Sequence, residues 1–222
     1  MENASLYSSE ARMTAKFAGQ DFVLDGSLGK SLWQTAPRIS FDHDVYAAAA
    51  YPESATEAAA LWTESSVYFA FRCRYSKLHT YEGEDPAKER WQLWERDVVE
   101  VFINPRPDVM SHYYEFEVSP NNQWIDLKID KTKDPFYDAG WDSGFAHATL
   151  INTECHVWNC EMRLPIASMG VGEIVPGDEW RVNFYRADGS GDDSPRRLTS
   201  WCSVPGGDTF HSPARFGLIR FE

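Results

Sequence analysis

Tyr68-Phe69-Ala70-Phe71-Arg72-Cys73-Arg74 begins as a continuous apolar run, the mark of a strand covered on both faces, and ends in alternation. Its counterpart near the C-terminus, Trp180-Arg181-Val182-Asn183-Phe184-Tyr185-Arg186, alternates polar and apolar through most of its length, so one face should stay wet. Outward from these two, strand period or strand composition predicts strands at 45–50, 58–63, 67–74, 98–104, 113–119, 123–129, 145–152, 155–164, 180–187, 199–204 and 216–221. The connections carry turn chemistry: Asn104-Pro105-Arg106-Pro107, Ser119-Pro120-Asn121-Asn122, Pro176-Gly177-Asp178 and Pro205-Gly206-Gly207-Asp208. Only Ile166-Ala167-Ser168-Met169-Gly170, after Pro165, reads as a helical turn. The expected fold is all-β: a single two-sheet, mainly antiparallel β-sandwich of jelly-roll or immunoglobulin-like type, with about ten or eleven strands. No repeat, low-complexity tract or composition break marks a second domain. Residues 21–222 are therefore expected to form one domain, preceded by a mobile or peripheral arm over residues 1–20.

The composition narrows the function classes. A chain of 222 residues buries roughly 70% of its unfolded surface, so it needs neither a metal nor a disulfide merely to fold. Against 21 basic residues stand 34 acidic ones, a net of −13, which argues against a nucleic-acid partner and against docking on an anionic membrane. No apolar run approaches the ~18–20 residues of a membrane span. Aromatic residues reach 14%, with 9 Trp and 10 Tyr, a content suited to β-structure and to flat amphipathic binding faces. Cys73, Cys155, Cys160 and Cys202 form no CxxC pair and read as buried or half-buried thiols. The opening MENASLYSSEARMTAKFAG lacks a basic region followed by an apolar block. It reads as cytoplasmic, or as secreted if the N-terminus has been trimmed.

Nucleophile and nucleotide templates are absent: there is no GxSxG elbow, no HExxH pair, no GxGxxG and no GxxxxGK[ST]. Carboxylates are more informative. Glu115 and Glu117 alternate around Phe116, which puts both on one strand face, where like charges repel unless solvated or paired with a cation. Asp97 and Glu100 flank Val98-Val99 on the preceding strand. Paired carboxylates across a cleft are the requirement of a glycoside hydrolase, a separation that sequence alone leaves open. Oxygen-rich turns offer a second chemistry. Asp42-His43-Asp44 and Asp188-Gly189-Ser190-Gly191-Asp192-Asp193 place Asp42, Asp44, Asp188 and Asp192 as candidate ligands of a structural calcium ion; no cofactor is required. The third constellation is aromatic. Trp91-Gln92-Leu93-Trp94 lies in a polar stretch before a strand, and Thr209-Phe210-His211-Ser212-Pro213 lies in a loop rich in Gly and Pro. Such rings can stack on the C–H face of a pyranose while acids, amides and arginines bond its hydroxyls.

These pieces, in order, resemble the family 9 carbohydrate-binding modules, found attached to xylanases and as free-standing proteins. Leu24-Asp25-Gly26 through Leu32-Trp33, Leu61-Trp62 with Val67-Tyr68-Phe69-Ala70-Phe71, and Trp94-Glu95-Arg96-Asp97-Val98-Val99-Glu100-Val101-Phe102-Ile103 carry the first half. Tyr114-Glu115-Phe116-Glu117-Val118, Trp180-Arg181-Val182-Asn183-Phe184 and Ser212-Pro213-Ala214-Arg215-Phe216-Gly217 complete it. The resemblance implies a β-sandwich related to DOMON-type domains, without a catalytic centre. It also implies a terminal glucose-, xylose- or cellobiose-like sugar stacked between two aromatics, matched by Trp94 and Phe210, with Glu100 bonding hydroxyls. Where sugar-binding members carry an amide, an arginine and an asparagine, this chain has Glu115, Glu117 and Ser119, and Gly207 replaces an asparagine. Replacing Arg by Glu turns five donors into acceptors only. The implied partner is a saccharide, with a separate glycoside hydrolase or protein partner also conceivable. Two readings compete with it: a hydrolase-like enzyme using paired carboxylates, and a sandwich that binds a protein.

Overall fold

In the computed structural model, which describes residues 11–83, 85–189, 196–204, 206 and 209–222, the apolar run around Phe69 lies in a strand hydrogen-bonded on both sides. Thirteen strands occur among the described residues. They are β1 (Arg12–Phe17), β2 (Arg38–Phe41), β3 (Thr56–Trp62), β4 (Ser66–Arg74), β5 (Val98–Asn104), β6 (His112–Val118) and β7 (Trp124–Asp130), then β8 (Tyr137–Asp138), β9 (Ala146–Asn152), β10 (Val157–Pro165), β11 (Glu179–Asp188), β12 (Arg197–Ser200) and β13 (Gly217–Phe221). All but one of the strands expected from sequence are present, with ends moved by a few residues. The exception is 45–50. There Asp44 Oδ1 accepts the N–H groups of Tyr46 (2.9 Å) and Ala48 (2.8 Å), and Ala47 adopts a φ of 58°. This side-chain turn competes successfully with extension.

The strands follow one path, β8-β7-β6-β5-β11-β13-β1-β3-β4-β10-β9, with β12 on β11 and β2 on β3. Every pairing is antiparallel except those of β1, which runs parallel to both β13 and β3. The expected sandwich is thus present, but as one curled mixed sheet folded onto itself rather than two separate sheets. Its two layers meet at Phe184 of β11, whose ring contacts Phe69 and Phe71 of β4 edge-on at 5.4 Å each. β1 overturns the expectation of a peripheral arm for residues 12–17. Met13 and Ala15 are core residues, and the strand is held entirely by partners about fifty and two hundred residues away. A four-residue alternation this weak has no local signature.

Two features of the first hundred residues have a structural rather than a ligand-binding explanation. Glu161 on β10 is fully buried and accepts hydrogen bonds from Asp25 N–H (2.9 Å), Gly26 N–H (2.8 Å), Trp33 Nε1 (2.7 Å) and Lys30 Nζ (2.8 Å). The Asp-Gly turn and the tryptophan of the opening segment therefore form a clamp around one carboxylate, with the short helix Ser31–Thr35 (α1) aiming Trp33 inward. All four cysteines are free; Cys73, Cys160 and Cys202 are buried as expected, whereas Cys155 is exposed. Among the described residues no helix is long and apolar enough to cross a membrane.

The period of two along β5 sends Val99, Val101 and Ile103 into the sandwich interior. Val98 and Phe102 face the other way. They join Tyr113, Ile125, Leu127, Ile129, Tyr185 and Phe216 in a second apolar cluster on the outer face of the sheet. The candidate site is built on that face.

Candidate binding site

Register brings three carboxylates together. Across β5 and β6, Glu100 stands opposite Glu117 and Phe102 opposite Glu115. Glu115 and Glu117 are two residues apart, so all three acids share the outer face, and one oxygen of each lies within 4.8 Å of the others. They are not solvated: Glu100 is 2% exposed, Glu115 4% and Glu117 0%. Apolar neighbours enclose them, with Ile125 and Leu127 of β7 paired to Glu117 and Glu115, and Tyr185 of β11 paired to Glu100. Burial pushes the pKa of all three above the ordinary glutamate range, and the charge of neighbouring carboxylates adds to the rise at Glu100 and Glu117. The Arg196 guanidinium opposes that rise at Glu100 and Glu117.

Above this floor opens a cavity of about 480 Å³, lined by Glu100, Glu115, Arg196, Trp94, Phe210 and Tyr46, among others. Trp94 sits in a 3-10 turn, Leu93–Glu95, entered through Gln92 at a φ of 63°. Buried Leu93 anchors the turn to the outer cluster, and the next residues are tied by Asp97, whose carboxylate accepts the N–H groups of His79 and Gly189, both at 2.6 Å. Trp91 meets Trp94 edge-on at 5.0 Å and Tyr137 at 5.2 Å, extending the aromatic wall outward. On the other side, Phe210 lies on Tyr185, and the Tyr185 hydroxyl donates to the Phe210 carbonyl (2.9 Å). Its neighbour His211 is held by the Tyr113 hydroxyl at Nδ1 (2.8 Å), while Lys131 Nζ donates to its carbonyl (2.6 Å). Burial lowers the His211 pKa to about 4, so the ring is neutral at pH 7.

The residues expected from sequence divide. Trp94, Glu100, Glu115 and Phe210 line the cavity, and Glu117 lies beside Glu100 and Glu115 in the floor. Ser119 does not line it: its buried hydroxyl bonds the Asn121 side chain within the β6–β7 turn. The candidate calcium ligands are not gathered. Asp42 pairs with His43 (2.8 Å), Asp44 caps its own turn, and buried Asp188 bonds Ser54, Arg186 (3.5 Å) and Arg197 (3.3 Å). Asp192 lies outside the described residues, as does Gly207. Glu100, Glu115 and Glu117 form the one group of three metal-capable side chains among the described residues. Arg196, Tyr185 and Tyr113 were not singled out in advance. The alternation of β11 carries a signal for Tyr185, which falls on the outer face and stands opposite Glu100. Arg196 has none, because the sequence leading to it, Asp192-Asp193-Ser194-Pro195, carries no strand or helix period.

The family profile described as "Carbohydrate family 9 binding domain-like" matches residues 24–222. A protein of Arthroderma benhamiae named "Extracellular protein" is 24% identical over 193 residues, spanning 82% of this chain and 85% of its own length. Among solved structures, a Bacteroides uniformis protein provisionally assigned as carbohydrate-binding superposes with a TM-score of 0.76 at 18% identity, covering 96% of this chain and 100% of that one. A family 9 carbohydrate binding module from Caldicellulosiruptor kristjanssonii, solved in complex with cellotriose, gives 0.69 at 16% identity over 96% and 94% of the two chains. These structural likenesses establish a shared fold. The profile match, running through the clamp, both aromatic loops and the carboxylate strands, establishes the relationship in sequence: the chain belongs to the carbohydrate family 9 binding domain-like family.

Proposed function

We propose that the protein binds a saccharide without turning it over, holding a terminal glucose-, xylose- or cellobiose-like unit between Trp94 and Phe210. The observation that carries this reading is that both rings line one cavity over Glu100 and Glu115. An aromatic wall offers a π-face to sugar C–H groups, worth on the order of 0.5–1.5 kcal/mol per ring beyond area burial. Carboxyl oxygens on the floor accept hydroxyl hydrogens, and Arg196 is the donor that the altered strand itself lacks. Family membership supports carbohydrate as the ligand class, as do the cellotriose and glucose complexes of the Caldicellulosiruptor kristjanssonii modules.

Binding rather than hydrolysis is favoured by where the acids stand. Hydrolases place two carboxyls on opposite sides of the scissile bond, roughly 5–9.5 Å apart. Here the acids are packed side by side on one floor, their nearest oxygens within 4.8 Å. The extracellular relative supports a secreted placement over a cytoplasmic one.

Calorimetric titration with glucose, xylose and cellobiose, alongside a reducing-sugar assay on the matching polysaccharides, tests the reading. Saturable binding that Trp94→Ala removes from a folded domain, with no product released, is the expected result. Silence across the whole panel, or product that vanishes in Glu100→Gln, overturns it.

A further inference from the structure

The floor of the cavity is short of positive charge. Both carboxylate oxygens of Glu117, together with Glu100 Oε1 and Glu115 Oε2, are buried with no donor from a non-carboxylate group, and Glu115 and Glu117 meet each other. Each such acceptor has lost its water without a replacement donor, at a cost that is greater when it is charged, and directly opposed like charges add to it. The basic side chains nearby do not cover the deficit. Arg196 lines the cavity and stabilises the charged forms of Glu100 and Glu117. His211 Nδ1 is 4.0 Å from Glu115 Oε2 but is engaged by the Tyr113 hydroxyl, and Lys131 is turned to the His211 carbonyl. With all three ionised, three carboxylates and one guanidinium leave two negative charges. One divalent cation balances them.

The geometry agrees with that count. Oxygens around a calcium ion sit about 2.3–2.6 Å from it, so ligands on opposite sides stand about 4.6–5.2 Å apart. The three carboxylate oxygens, all within 4.8 Å of one another, fit inside that span. A donor set of oxygen alone selects a hard ion, calcium, magnesium or manganese, over zinc or copper. We propose that Glu100, Glu115 and Glu117 form a divalent-cation site in the floor of the cavity, with its open coordination positions facing the cavity. The site is separate from the acidic loops at Asp42 and Asp188, and it does not depend on sugar being the ligand above it. Protons are the rival means of neutralising the group.

The test uses the full chain stripped of metal with chelator and no sugar present. Calorimetry with CaCl2 and electron paramagnetic resonance with MnCl2 should each report one ion per chain. Glu117→Gln and Glu115→Gln, nearly isosteric changes, should weaken binding at least tenfold, whereas Glu57→Gln, at a half-exposed residue of β3 outside the cavity, should not. Should the glutamine variants fail to fold, manganese-induced broadening of backbone resonances in the unaltered protein locates the ion, and is expected around Glu100, Glu115 and Glu117. Absence of saturable binding at millimolar ion, broadening centred elsewhere, or undiminished affinity in both folded glutamine variants overturns the proposal. Because every arm omits sugar, its failure leaves the saccharide reading standing, and the reverse also holds.

Discussion

Phe210 lies flat on Tyr185, with ring centroids 4.1 Å apart and planes 6° from parallel. The stack fixes one wall of the cavity by committing one face of Phe210 to the protein, which leaves its other face for a ligand. Phe210→Ala should therefore weaken cellobiose binding by about three- to tenfold, the equivalent of one lost stacking contact. Tyr185→Phe keeps the stack and removes the hydroxyl that bonds the Phe210 carbonyl (2.9 Å), so it should change affinity far less. Titration calorimetry on the two variants separates wall from tether. Equal losses in both would show that the tether, and not the ring, matters.

The Glu161 clamp makes a stability prediction. Glu161→Ala would leave the Lys30 ammonium, the Trp33 indole N–H and two backbone N–H groups facing a hole in the protein. Breaking a buried charged network by removing one partner costs about 3–5 kcal/mol. Urea unfolding should show that loss, while cellobiose affinity of the folded fraction stays unchanged. A loss below about 1 kcal/mol would mean that the clamp relaxes onto water.

Gly26 within the clamp admits no side chain. Its φ is +77°, and a Cβ there would stand 2.5 Å from the Thr149 carbonyl carbon and 2.7 Å from the Leu150 nitrogen. Gly26→Ala combines left-handed strain with a backbone clash, and should cost about 2 kcal/mol or more. Gly83, also at positive φ but with nothing within reach, should pay only the strain when changed to Ala. Thermal melts of the two variants rank the effects, and equal shifts would count against the clash.

Acid should loosen the fold through His147. Burial lowers its pKa from 6.5 to about 4, with Phe145 at 5.1 Å and Trp124 at 5.6 Å around the ring. The folded-state value lies below the unfolded one, so the contribution is complete above pH 6.5 and is lost as pH falls toward 4. The loss amounts to at most about 3 kcal/mol. In His147→Gln the unfolding free energy should fall less steeply than in the unaltered protein between about pH 7 and pH 4.5. Parallel curves would remove His147 from the account.

How far the sequence could be read depends on whether a signal is local. β4 announces itself because burial on both faces imposes a continuous apolar run, and β11 by its alternation, although the face expected to stay wet is covered at Asn183 and Tyr185. The shared face of Glu115 and Glu117 follows from their spacing alone, and the aromatic walls follow from Trp94 and Phe210 standing in polar loops. Glu100 joins the pair through the β5–β6 register, a non-local fact. Ser119 was misplaced because the strand period ends at Val118, where the turn begins. At the acidic loops, Asp44 and Asp188 engage their oxygens with a turn and with two arginines, contacts no residue spacing discloses.

β1 has a consequence for how the chain reaches its native state. It is the first strand described, and its partners include β13, whose Leu218 stands beside Arg12. A ribosome releases Arg12 long before it has made Leu218, so during synthesis that side of β1 has nothing to pair with except β3 or a foreign edge. Loop closure across some two hundred residues is slow, and an unpaired strand is open to intermolecular pairing in the meantime. Closure of the sheet between β1 and β13 then waits for residues 217–221 to be made. A nascent chain stalled before residue 217 should expose β1 to protease, and one in which β13 has emerged from the ribosome should protect it.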